Sequence, residues 1–200
     1  MSLVERIHGS YVVGRRARIL SQYLSKVIPE AKTVLDVGCG DGLIDSLIRD
    51  RRPDLELRGI DVLVRPKSFI PVAEFDGKAL PYDDSSFDCV MFVDVLHHMV
   101  DPMALLCEAV RVARKSIIIK DHAREGLLGG LTLRVMDTIG NQRHGVSLPY
   151  NYWTSEEWLV AWSHLGLQMK SQITKLRLYP WPATLIFDRK LHFVARLDRG

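Results

Sequence analysis

The apolar positions change period several times along the chain, and each change marks an element. Over "YVVGRRARILSQYLSKVI", Val12, Ile19, Tyr23 and Val27 fall near one face of a 3.6-residue repeat, and Pro29 closes the segment. This predicts an amphipathic helix after a short polar start. "TVLDVG" is a short, apolar, β-branched run that ends in glycine, and "DGLIDSLIRDRRP" returns to helical spacing until Pro53. The unit is strand, tight turn, helix. "LELRGIDV" and "SFIPVAEFDG" predict two more strands, each ending in an acid. "FDCVMFVDVL" predicts a fourth, whose continuous apolar core implies burial on both faces. "DPMALLCEAVRVAR" predicts a helix with Asp101 as N-cap and Pro102 at its first position, leading to strand "SIIIKD". Strands alternating with helices predict a doubly wound, parallel α/β sheet.

The last third is less regular. "EGLLGGLTLRVMDTIGNQRHGVSLPYNYW" interrupts the alternation, and within it "LLGGLTLRVMDTI" has the spacing of an amphipathic helix. "TSEEWLVAWSHLG" predicts a helix capped by Thr154 or Ser155 and ended by Gly166. "LQMKSQITKLRLY" and "ATLIFDRKLHFVARL" predict a closing pair of strands joined through "PWP". An insert of this length between regular elements is a lid, a binding loop or a disordered stretch, and its Leu, Val, Met, Trp and Tyr content argues against disorder.

Composition narrows the class. Two hundred residues, 47% of them apolar, suit one globular domain able to bury about 70% of its unfolded surface, so 1–200 is expected to be a single unit. Within it, residues 1–30 would form a helical cap and 122–153 a lid. A net charge of +3, with basic residues scattered among 24 acids, argues against an extended nucleic-acid footprint. No long uncharged apolar run or signal peptide stands out, so the expectation is a cytoplasmic protein. The three cysteines lack metal-ligand spacing, and no metal site is expected. Cys89 and Cys107 are most simply small core residues.

Candidate chemistry begins at "VLDVGCGDG". Its glycines fall at alternate positions, Gly38, Gly40 and Gly42, with Asp36 two residues ahead of the first. A strand, glycine turn and helix let a ligand approach the backbone closely, but a dinucleotide fingerprint is spaced G-x-G-x-x-G. A carboxylate beside a pyrophosphate would repel it, whereas beside an ammonium or sulfonium it stabilises. Asp61 ends the second strand about twenty residues on, where an acid accepts ribose hydroxyls. Asp76 with Gly77 ends the third, where a carboxylate can accept from an exocyclic purine amine. A charged amino-acid part, a ribose and an adenine together describe S-adenosylmethionine.

From about Thr33 to Asp121 the chain resembles the class I S-adenosylmethionine-dependent methyltransferases, in particular the small-molecule branch that includes the ubiquinone and menaquinone biosynthesis type. The resemblance rests on "VLDVGCGDG", "GIDV", "FDGKALPYDDSSFDCVMFVDVLHHMVDP" and "ALLCEAVRV". It implies a Rossmann-like, three-layer α/β/α fold with a seven-stranded, mostly parallel sheet and one antiparallel strand. It also implies that Asp36, Gly38, Cys39 and Gly40 contact the methionine part, Asp61 the ribose, Val62 the adenine face, and Asp76 with Gly77 the adenine edge. Asp94 and Val95 would line the floor near the sulfonium. The family often carries a Lys-Pro-Gly-Gly turn before the fifth strand, where this chain reads "RVARKS".

Methyl transfer is an in-line displacement, and a base is needed only for a protonated acceptor. His98, just past the fourth strand, and His122, at the end of the fifth, are the candidates, since histidine titrates near neutral pH. Of His97 and His98, the alternative reading has one packing and the other hydrogen-bonding the loop. In "NQRHGVSLPYNYW", His144, Tyr150, Tyr152 and Trp153 are the candidate acceptor contacts, a polar and aromatic mixture suited to an apolar pocket. Tyr11, Arg15 or Arg16 would reach the cofactor carboxylate from the first helix. A small organic acceptor, a lipid-like one included, fits best. A nucleic-acid methyltransferase lacks support, because "DVLHH" stands where an Asp/Asn-Pro-Pro-Tyr/Phe segment belongs. A nicotinamide oxidoreductase is disfavoured by the glycine spacing. A regulatory protein that binds S-adenosylmethionine without turnover stays open, and an acceptor position filled by Tyr152 or Trp153 would favour it.

Overall fold

The computed structural model describes residues 3–126, 128–141, 149–188 and 190–200. In chain order the elements are α1 Leu3–Val27, β1 Thr33–Val37, α2 Leu43–Arg49, β2 Glu56–Asp61, β3 Val72–Glu74 and β4 Phe87–Val93. A 3-10 turn at Leu96–His98, α3 Pro102–Val112, β5 Ala113–His122 and α4 Gly129–Asn141 follow. The chain closes with α5 Ser155–His164, β6 Leu167–Ile173, α6 Thr184–Phe187 and β7 His192–Arg199. The strands form one seven-stranded sheet in the order β3-β2-β1-β4-β5-β7-β6. Only β7 runs against the rest, pairing antiparallel with both β5 and β6. The predicted doubly wound sheet with one antiparallel strand is present.

Strand alternation divides the core between two helical layers. Val90 and Phe92 of β4 and Ile117 and Ile119 of β5 pack with Leu105, Leu106 and Ala109 of α3 and Trp158 and Trp162 of α5. Cys89, Met91 and Ile118 point the other way, to Leu20 and Leu24 of α1 and Ile48 of α2. The period of two in the strands thus meets the 3.6 period of the helices on both faces, which is why β4 reads as a continuous apolar run.

Caps behave as their chemistry requires. Asp101 accepts from the Ala104 N–H at 3.1 Å, and Thr154 with Glu157 forms a reciprocal capping box at α5. Several boundaries differ from the sequence reading, among them α2, which ends at Arg49, and the strand read over "LQMKSQITKLRLY", which ends at Ile173. Helix α1 starts at Leu3, not near Tyr11. The third strand shrinks to Val72–Glu74, because Pro71 precedes it and it is the sheet's edge. Strand β5 starts at Ala113, directly after α3, so "RVARKS" holds no turn. "ATLIFDRKLHFVARL" is a strand only from His192, and Thr184–Phe187 is one helical turn closed by the Phe187 N–H to the Ala183 carbonyl at 3.0 Å. Cys107, expected in the core, is exposed on α3. Among the described residues no helix is long and apolar enough to cross a membrane.

Candidate active site

The sheet reverses direction of winding between β1 and β4, and in such sheets ligands bind outside the carboxyl ends of the strands at that point. The glycine loop lies there. Gly38, Gly40 and Gly42 have φ of 76°, 63° and 73°, a region that any side chain strains. Two of the three are also sterically enforced. A Cβ on Gly38 would stand 2.5 Å from Val95 Cγ2, and one on Gly42 would stand 2.4 Å from Ile70 Cγ1. At Gly40 a Cβ would meet nothing within 4 Å, so this backbone faces open space. Cys39 fits because its partner strand carries Gly59, whose Cβ would lie 2.3 Å from the Cys39 sulfur. Burial, then the charge of Asp36, raises the thiol's pKa.

Asp61 joins the loop to the second strand. Its carboxylate accepts from the Gly40 N–H at 2.8 Å and from the Leu63 N–H at 2.9 Å. Val62, Leu63 and Val64 follow as an exposed apolar run, with Val62 58% accessible. Gly77, at φ 77°, lies against Val62, since a Cβ there would sit 3.1 Å from Val62 Cγ1. Asp76 accepts from the N–H groups of Lys78 and Ala79 at 2.8 and 3.0 Å, which hold its carboxyl below the ordinary range. The ends of β2 and β3 therefore present an acid, an apolar surface and a second acid side by side.

Asp36 lies beneath this surface. It is 2% accessible and stands beside Asp45 of α2, which is fully buried. Burial first, then the neighbouring carboxyl, pushes Asp36 well above the carboxylate range, and burial lifts Asp45 to about 7. Two carboxyls taken out of water together hold a proton between them near neutrality, because both cannot ionise. The acid ahead of the glycines is thus half of a buried pair.

Across the switch point, the ends of β4 and β5 gather charges and imidazoles. Asp94, at φ 59°, forms ion pairs with Arg16 of α1 and Lys120 of β5. Lys120 is completely buried, which lowers its pKa against the opposing pull of Asp94. Burial would raise Asp94, but Arg16 and Lys120 outweigh it and keep the carboxyl well below its ordinary value. His97 Nδ1 stands 2.6 Å from Asp121 Oδ1, and the other Asp121 oxygen accepts from the Leu96 N–H at 3.0 Å. His122 Nδ1 lies 3.3 Å from the same Asp121 oxygen and 3.3 Å from His97 Nδ1. Burial, then Lys120, lowers the pKa of both His122 and His192. His98 is half-buried with its ring centroid 3.8 Å from that of His97.

The described part of the insert folds over these rings. The Asn151 N–H donates to the His97 carbonyl at 3.0 Å, and Tyr152, 6% accessible, stacks on His97 with centroids 5.6 Å apart. Tyr150 packs near Tyr152, while Trp153 turns away onto Trp158 with centroids 4.7 Å apart. His144 and Arg143 lie outside the described residues. A cavity of about 590 Å³ opens between Ala123, the base of the insert at Gly126 and Gly129, Leu191, and Phe193 of β7; His122, next in the chain to Ala123, does not line it.

Sequence reasoning reached both histidines of "LHH", His122 and Asp94 but missed Lys120, Asp121 and His192. A lysine and an aspartate inside the apolar run of a central strand were the available signal, because charges are buried there only when paired.

Residues 35–119 match the methyltransferase domain family. The chain carries a methyltransferase domain. The match takes in the glycine loop, Asp61, Asp76, Asp94 and both histidines of the 3-10 turn. Among curated relatives, the chain is 31% identical over 150 residues to the 2-methyl-6-phytyl-1,4-hydroquinone methyltransferase of Synechocystis, over 68% of this chain and 42% of that protein. It is 33% identical over 116 residues to the ajmaline N-methyltransferase of Rauvolfia serpentina, over 50% and 40%. The chain thus spans less than half the length of either relative. A solved S-adenosylmethionine-dependent methyltransferase of Thermotoga maritima shares the fold at 19% identity, with a TM-score of 0.65 over 98% of this chain and 96% of that one.

Proposed function

We propose that this methyltransferase domain moves a methyl group from S-adenosylmethionine to a small organic acceptor by in-line displacement. The observation that carries the reading is the open Gly40 backbone at the switch point, continuous with Asp61, the exposed Val62 and Gly77. That row has a place for each part of the donor. Gly38, Cys39 and Gly40 border the methionine part, with the Asp36–Asp45 pair beneath as a source of negative charge. Asp61 accepts from the ribose, Val62 covers an adenine face, and Asp76 with Gly77 borders the adenine edge. Asp94 and Val95 form the floor toward the sulfonium. The donor supplies a methyl group on a cationic sulfur, which a nucleophile displaces without help from a metal or an acyl intermediate.

The chain's own residues then position and desolvate. His122, whose burial disfavours its charged form, stands at the end of β5 one residue before the cavity wall at Ala123, and is the first candidate to accept a proton from an acceptor hydroxyl or amine. His98, on the more accessible side of the 3-10 turn, is the second candidate base. Residues 122–153 act as the acceptor lid, in which Tyr150 is the described contact, since Trp153 packs on Trp158 and Tyr152 is buried against His97, and α1 acts as the cap. The apolar wall of the cavity, Leu128, Leu191 and Phe193, suits a lipid-like or aromatic acceptor, with Glu125, Gln172 and Lys190 on its polar side. The curated relatives named for a prenylated hydroquinone and an alkaloid agree with that class. A binding module without turnover is the second reading, favoured by Tyr152, which lies buried against His97 and His122. Incubation with tritiated S-adenosylmethionine and a panel of phenols, quinols and amines separates the two. Transfer of label supports the enzyme, and tight binding of S-adenosylhomocysteine with no transfer to any acceptor supports the module.

A further inference from the structure

We propose that His97, Asp121 and His122, with Asp94 as the outermost donor, form a binding site for a divalent transition metal of the zinc class. The inference does not rest on methyl transfer. The four residues come from three places in the sequence, and the fold joins them because β4 and β5 pair in register up to Val93 and Lys120. Their ends and the 3-10 turn that follows β4 then meet above the sheet. One donor atom from each of the four lies within 4.8 Å of the others.

Three of the spacings, those from His122, are the edges of a coordination polyhedron. Zinc holds imidazole nitrogen and carboxylate oxygen at about 2.0–2.2 Å in a tetrahedron, whose edges are then about 3.3–3.6 Å. His122 Nδ1 stands 3.3 Å from His97 Nδ1, 3.3 Å from Asp121 Oδ1 and 3.6 Å from Asp94 Oδ1. Of the other three edges, His97 Nδ1 to Asp121 Oδ1 is 2.6 Å, a hydrogen bond that opens when a cation replaces its proton, and those from Asp94 to His97 and to Asp121 are within 4.8 Å. Hydrogen bonding alone serves this arrangement poorly. Asp121 Oδ1 already accepts from the His122 N–H at 2.7 Å, and two ring nitrogens that face each other share at most one proton between them. Two imidazole nitrogens and a carboxylate aimed at one point are a ligand set that zinc favours.

An outer shell fixes the donors as metal sites require. The second Asp121 oxygen is held by the Leu96 N–H, the His97 ring is stacked by Tyr152, and the His122 carbonyl accepts from Trp158 Nε1 at 3.0 Å. His97, Asp121 and His122 are at most 4% accessible, so the centre is dry, while Asp94 is 14% accessible and marks the entrance. Arg16 sits on that entrance with a third of its side chain exposed. Its departure frees Asp94 Oδ2, while Lys120 stays on Oδ1, so the two carboxylates then face a divalent cation and one ammonium.

The test is equilibrium dialysis of the whole chain against Co2+ and Zn2+, with metal content and visible absorption as readouts. The expected result is one Co2+ per chain with the intense ligand-field bands of a tetrahedral N/O site, bleached stoichiometrically by Zn2+. His97→Gln and His122→Gln should each weaken Co2+ binding by more than about 100-fold, beyond what loss of an outer-shell partner costs, while the exposed His164→Gln keeps it. Folded wild-type chain that takes up no Co2+, that gives only the pale spectrum of an octahedral aqua ion, or that is matched by the two histidine variants would overturn the site. These readouts require neither S-adenosylmethionine nor an acceptor, so failure of the metal site and failure of the methyl-transfer reading are distinguishable.

Discussion

The buried Asp36–Asp45 pair makes folding stability depend on pH in an unusual direction. Asp45 is lifted from an ordinary carboxyl value of 3.8 to about 7, chiefly by burial. A carboxyl whose folded value lies above its unfolded one binds a proton more readily in the folded state. Its contribution is therefore intact below about 4, is lost as the pH rises to about 7, and stays lost above that. At about 1.4 kcal/mol per pH step, ionising Asp45 costs the native state up to about 4 kcal/mol at pH 8. Asp45→Asn keeps the shape and removes the charge, while Asp36 stays buried, so recovery of about half of that, about 2 kcal/mol, is expected at pH 8. In a chain of this size this raises Tm by about 4–8 °C. Urea or thermal unfolding of both proteins at pH 5 and pH 8 measures it, and the gain at pH 8 should exceed that at pH 5 by at least about 1 kcal/mol. A variant equally stabilised at both pH values, or destabilised at pH 8, would refute the shared-proton pair.

Other substitutions test the donor site. Asp61→Ala removes an acceptor that also braces the Gly40 N–H, and should weaken S-adenosylhomocysteine binding by about 1–3 kcal/mol in calorimetry; unchanged affinity in a folded variant would remove its ribose role. Gly38→Ala meets Val95 and Gly40→Ala meets nothing, so the first should lower stability by about 1–3 kcal/mol more than the second in urea unfolding. Gly40→Ala should instead lower cofactor affinity. His122→Ala should reduce kcat at least tenfold with any acceptor that must lose a proton, and leave S-adenosylhomocysteine affinity within about twofold. Loss of both together would mark His122 as structural.

The fold was legible wherever one period dominated. The β4 run, the Asp101 and Thr154 caps and the Gly166 stop each carried their own signal, and each element stands where that signal set it. "ATLIFDRK" failed because a four-residue apolar segment fits one helical turn as well as a strand, and only the contacts around it decide. The ten-residue stretch read as the third strand contributes three paired residues, since an edge strand with Pro71 at its entrance has one partner only. At the site, the row from Gly38 to Gly77 could be read because glycines and strand-end acids are local features. The Asp36–Asp45 pair and the Asp94, His97, Asp121 and His122 cluster could not, because each needs two elements to meet. Lys120 was the nearest to a visible sign, a charge in a strand whose neighbours Ile117, Ile118 and Ile119 are all fully buried.

The central claim is that the open glycine loop at the β1/β4 switch point receives an S-adenosyl ligand. Calorimetric titration of the purified chain with S-adenosylhomocysteine, with NAD as the control, tests it most directly. Micromolar binding of S-adenosylhomocysteine at one site per chain, with none of NAD, is the predicted result. Binding of NAD alone, or of neither, would contradict the assignment of every residue from Asp36 to Asp94.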